Sequence, residues 1–170
     1  ALCELVGSRP EIEWPNQVVA HLIELAGRGS TGHMKSPIPT RWDQDPLGYS
    51  LLNVVHNKAL NALSSFGSVH AESRERLLEV SKRLLGSQDL ARRAAAAQLG
   101  WVCSPDNAAR RVALLLEATD EPLVAASQFC FRLLHWALGQ QHVPEVLQHR
   151  VQSVLMGLAI SDSEWLAYRG

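Results

Sequence analysis

The chain has 170 residues, 46% hydrophobic and 19% charged, and its 16 Lys+Arg against 17 Asp+Glu give a formal net charge of −1. This is a globular composition at a length that builds one domain around its own core, with no staples required. The balanced charge excludes a whole-molecule positive field of the kind that gathers nucleic acid or an anionic membrane, so any such binding has to be local.

The chain opens Ala-Leu-Cys-Glu-Leu, without an initiator Met, a basic n-region or a long apolar run. That reads as no signal peptide, and the expectation is a cytoplasmic piece of a larger protein. A short apolar fragment at Leu2 to Val6 comes first. Pro15 then stands where a first-turn proline belongs, and Val18, Val19, Leu22, Ile23 and Ala26 form one helical face that stops at Gly27. Over residues 28–45, Gly29, Gly32, Pro37 and Pro39 break any period, which predicts a long exposed loop of the kind that often carries function. A helix from about Pro46 or Gly48 to Phe66 stacks Leu52, Val55, Ala59, Leu63 and Phe66, and Gly67 and Ser68 are read as its end.

The next helix runs from Ser73 to Leu85 with Leu77, Val80, Leu84 and Leu85 inward and Gly86 as a left-handed cap. Ser87 starts another, with the face Leu90, Ala94, Ala97 and Trp101, and the run Ala94 to Ala97 is small enough for close helix approach. Ser104-Pro105-Asp106 is read as the cap and first turn of a helix carrying Ala108, Val112, Leu115 and Leu116. Asp120-Glu121-Pro122 repeats that start. The helix after it, Leu123 through Leu138 to Gly139, is the most apolar and is expected at the centre, while Gln128, Arg132 and His135 keep it short of the ~20 residues that span a membrane. Pro144 opens a helix with Leu147, Val151, Val154, Leu155 and Leu158 inward, and Ser161-Asp162-Ser163-Glu164 is a capping box for a last helix with Trp165. The whole reads as all-α, with a bundle or a solenoid as the alternatives.

Helix starts near Arg74, Pro105 and Pro144, and partner starts near Gln88, Glu121 and Asp162, define units of about 31 to 41 residues. Leu84-Leu85 followed by Asp89-Leu90-Ala91-Arg92-Arg93 corresponds to Leu115-Leu116 followed by Asp120-Glu121-Pro122-Leu123-Val124. From about Pro46 to Ala159 the chain thus resembles the HEAT-repeat family, whose second helices often begin with an Asp-Pro-x-x-Arg-like turn. The resemblance implies a right-handed stack of antiparallel helix pairs, a HEAT-like α-solenoid of about eight helices spanning 1–170 as a single domain. Leu52-Asn53-Val54-Val55-His56-Asn57-Lys58-Ala59 also looks like the Asn-Ser-Val-Arg-Gly-Lys-Ala motif that opens a repeat helix in large bacterial multidomain NTPases, some similar to anti-phage sensors. Val54, His56 and Asn57 depart from that motif. It would imply a helical sensor or scaffold region with the nucleotide chemistry elsewhere.

The chemistry-bearing residues form no recognised constellation. Cys3, Cys103 and Cys130 are an odd count with no close pair and are read as buried free thiols. His135, His142 and His149 recur every seven residues, but Gly139 and Pro144 break the helix they would share, so no metal site is read. His33, His56 and His70 lack partners in sequence. No Gly-x-Ser-x-Gly, P-loop or Gly-x-Gly-x-x-Gly occurs, and the acidic pairs Glu11/Glu13 beside Trp14 and Asp43/Asp45 beside Trp42 suit a solvated loop. From Arg74 to Arg111, eight cations face Glu75, Glu79, Asp89 and Asp106; the doublets, with Arg83, Arg92, Arg93, Arg110 and Arg111 as the candidates, sit at corresponding places in successive units and could line up for phosphates or an acidic partner. Trp101 and Trp136 belong to strongly apolar helices and are read as core rather than as a base-stacking platform; Trp42, with Arg41, is a candidate partner-binding element of the loop.

The expectation is therefore a non-catalytic scaffold or sensor module that binds another protein or another domain of the same polypeptide, without a cofactor or a membrane. The alternative is a nucleic-acid-binding or nucleic-acid-processing HEAT-like domain using the basic face. A small helical enzyme, the third class, would show a deep pocket holding carboxylates and His56 or His135.

Overall fold

The computed structural model describes residues 1–28, 47 and 55–160. Among these residues there are nine α-helices and no strand: α1 (Leu2–Ser8), α2 (Asn16–Gly27), α3 (Val55–Val69), α4 (Arg74–Leu85), α5 (Leu90–Val102), α6 (Ala108–Ala118), α7 (Pro122–Ala126), α8 (Gln128–Leu138) and α9 (Glu145–Ala159), with a 3-10 turn at Ala71–Ser73. The predicted loop beyond Arg28, with Arg41 and Trp42, lies outside the described residues, as do the start of the helix predicted from Pro46 or Gly48 and the capping box with Trp165. No helix among the described residues is long and apolar enough to cross a membrane.

Local chemistry explains most helix starts. Pro15 and Pro144 stand immediately before α2 and α9, and Pro122 occupies the first turn of α7, where a missing N–H costs nothing. Asp89 caps α5 by accepting the Arg92 backbone N–H at 3.1 Å, and Ser87, the predicted start, instead accepts the Asp89 N–H at 3.2 Å. Asn107, rather than Ser104-Pro105-Asp106, caps α6; its Oδ1 accepts the Arg110 N–H at 2.8 Å. The inward faces follow the apolar period: Val19, Leu22 and Ala26 of α2 are buried, as are Val151, Leu155 and Leu158 of α9.

Four expectations are corrected. Gly67 does not end α3; the helix continues to Val69, and the glycine serves packing, since a Cβ there would lie 3.0 Å from Cys103 Sγ and from Leu77 Cδ1. Gly86 follows α4 with φ −85°, so no left-handed cap forms. The long apolar helix from Leu123 to Leu138 is two helices, because Ser127 turns extended (φ −58°, ψ 144°) and its fully buried hydroxyl donates to the Val124 carbonyl at 2.7 Å. Nor is that segment the centre. The centre is α5, which packs on α3, α4, α6, α7 and α8. Its Ala94, Ala95, Ala96 and Ala97 are all buried, because small side chains let neighbours close in on opposite sides of one helix, whereas apolar content alone does not.

Among the described residues, every pair of helices that packs substantially is separated by at most three positions in the order of the described helices: α1 and α2 lie on α3, α3 on α5, α4 and α6 on α5, and α9 on α6, α7 and α8. Fully buried Leu60, Leu63, Leu77, Leu78, Leu99, Leu115 and Leu134 run through these contacts as one continuous apolar core.

Candidate functional site

The five candidate arginines have separate fates. Arg83 is exposed in the last turn of α4. Arg92 is only 5% exposed and its Nη2 donates to the Arg28 carbonyl at 2.7 Å, tying α5 to the end of α2. Arg93 donates through Nε to the Ser87 carbonyl at 3.1 Å and through Nη1 to the Asp120 carboxylate. Arg110 pairs with Glu75 of α4, with Nη1 at 3.2 Å from the carboxylate. Arg111 donates through Nε to the Trp101 carbonyl at 3.2 Å. Successive arginines of each doublet therefore point in different directions, as helical geometry requires, and four of the five bind groups on other elements.

Arg111 leads to the arrangement with the most defined geometry. Trp101 at the end of α5 and Trp136 near the end of α8 meet edge to face, with ring centroids 4.8 Å apart and an interplanar angle of 81°. The Arg111 guanidinium carbon lies 5.1 Å from the Trp101 centroid and 6.0 Å from that of Trp136. Three helices thus place a cation on two indole faces at the surface, where all three residues are half-buried. Burial lowers the Arg111 pKa below its ordinary value, Asp106 acts in the opposite sense, and the group stays charged at neutral pH. The two tryptophans pack against the core from its margin rather than within it. They stand 35 positions apart in sequence, with Arg111 between them.

A second polar node joins α3 to α5. His56 Nε2 lies 3.2 Å from Asp89 Oδ2, beside Arg92. Desolvation, followed by the Arg92 charge, lowers the His56 pKa, while Asp89 raises it. The other sequence histidines are dispersed: His70 Nε2 lies 2.9 Å from the Pro10 carbonyl, His135 meets the Phe131 ring at a centroid distance of 4.5 Å, and His149 lies 3.8 Å from Glu145. Among the described residues no group of three or more His, Cys, Asp or Glu is placed to hold a metal. An open cleft of about 390 Å³ between α1 and α3 is lined by Cys3, Glu4, Lys58 and Ser65, with Lys58 paired to Glu4 at 3.0 Å. Another, of about 380 Å³, holds Arg74, Glu75, Ser104, Asp106 and Arg110. Neither is lined by His56 or His135.

Compared with family models, curated proteins and solved structures, the chain has no match.

Proposed function

We propose that the chain is a non-catalytic protein-interaction module of HEAT-like character, a right-handed stack of antiparallel helix pairs that holds a partner protein or another domain of the same polypeptide on a helical face. The observation that carries this reading is the packing pattern. Helices meet near neighbours in chain order, α1 and α2 resting on α3 while α9 rests on α6, α7 and α8, as expected when units stack in a line and leave long faces exposed. A cation laid on two half-buried indoles gives one of those faces the side chains that dominate binding energy at interfaces. Cytoplasmic location suits its free thiols.

The nucleic-acid alternative needs its arginines free on one surface, and Arg92 and Arg93 are instead committed to the Arg28 carbonyl, the Ser87 carbonyl and Asp120. The test is photo-cross-linking in cells of the source organism from a reactive residue at position 132, one turn before Trp136. A defined protein adduct is expected. Nucleic-acid adducts, together with oligonucleotide affinity that falls by about 10³ or more between ~50 and ~200 mM salt, would move the function to the alternative.

A further inference from the structure

We propose that Arg111, seated on the Trp101–Trp136 pair, anchors a carboxylate from an acidic, partly apolar segment of the partner protein. The inference rests on the interaction-module reading and gives that partner a chemistry. The guanidinium is held in place before any ligand arrives: Nε is committed to the Trp101 carbonyl at 3.2 Å, and its carbon lies 5.1 and 6.0 Å from the two indole centroids. Among the described residues, no hydrogen bond or ion pair engages its two Nη groups. Among the described residues, the ion pairs of this region join Arg93 to Asp120 and Arg110 to Glu75, and none takes Arg111. A half-buried guanidinium has lost part of its water, and the ring faces replace only some of that solvation. A carboxylate meeting the Nη edge side-on replaces the rest, with two parallel charge-assisted hydrogen bonds.

The surroundings select a peptide over a nucleic acid. The indole edges offer apolar contact beside the cation, which suits Leu or Phe next to an acid. Arg132, exposed one turn before Trp136 on α8, adds a second positive charge. A phosphate backbone would need several free cations in register, but Arg93 and Arg110 are already paired.

The test is fluorescence anisotropy of the full chain at low salt with three labelled probes: a short peptide alternating Asp and Glu with Leu and Phe, the same peptide with Asn and Gln in place of the acids, and a single-stranded DNA of similar length. The acidic peptide is expected to bind, with the amide version about tenfold weaker, the scale of one charge-assisted hydrogen-bonding pair. R111Q is expected to lose about the same factor and R111K, which keeps charge without the planar fork, part of it, while R83Q changes nothing. Equal affinity for the two peptides, no binding of the acidic one, unchanged affinity in R111Q, or binding of the DNA alone would each overturn the proposal. The two-peptide comparison uses the unaltered chain and stands even if R111Q does not fold. Failure here alongside a protein adduct from position 132 removes the anchor and keeps the module; nucleic-acid adducts remove both.

Discussion

At His56, burial and the neighbouring Arg92 guanidinium push the imidazole below its ordinary 6.5, against the pull of Asp89 3.2 Å away. As pH falls through 6.5, the unfolded chain takes up this proton and the folded chain resists it, so the unfolded state binds more protons. Stability from this group is therefore complete above 6.5 and declines as pH drops towards the folded value. The urea midpoint should fall on acidification, and less steeply in H56N; equal slopes would show that His56 is not the group responsible. Cys103 is moved the other way. Burial raises its thiol to about 12, so it holds almost no thiolate at pH 8. Alkylation at that pH should modify half-buried Cys3 first, with Cys103 reacting only as the chain unfolds, as peptide mass spectrometry would reveal. The burial read from sequence holds for Cys103 and Cys130 but not for half-buried Cys3, and His56's partner is not legible in sequence, because it depends on a helix folded against it from elsewhere in the chain.

Among the elements, two helical glycines that look alike in sequence have opposite surroundings. At Gly100 in α5, a Cβ would lie 2.6 Å from Ser81 Oγ and 3.1 Å from Leu114 Cδ1, and that hydroxyl is already donating to the Ala96 carbonyl at 2.7 Å. At Gly157 in α9, a Cβ meets nothing within 4 Å. G100A should therefore destabilise by about 1–3 kcal/mol through overpacking, although alanine is the better helix former. G157A should stabilise by about 0.5 kcal/mol through chain entropy alone. Urea unfolding of both variants tests the pair. The bend between α7 and α8 is held by a buried hydroxyl, and S127A, which removes its bond to the Val124 carbonyl, should cost about 1–2 kcal/mol by the same measurement.

Across the whole molecule, stability should follow the packing order, since helices that contact only near neighbours can open from the ends. Hydrogen exchange is expected to be slowest in α5, enclosed by five other helices, and faster in α1 and α9; uniform protection would indicate a single cooperative bundle instead. Truncating fully buried Leu99 in α5 to Ala should cost about 2–5 kcal/mol. By itself the sequence determined the helical class, the starts at Pro15, Pro122 and Pro144, and the inward faces of α2 and α9, because caps, prolines and apolar period act within one or two turns. Only the tertiary structure decided that α3 runs through Gly67, that Ser127 splits the most apolar segment, that α5 is the centre, and that Arg92 is buried while Arg111 lies on two indoles. Each of those outcomes depends on atoms brought together from distant parts of the chain, where packing space and hydrogen-bond partners overrule local preference.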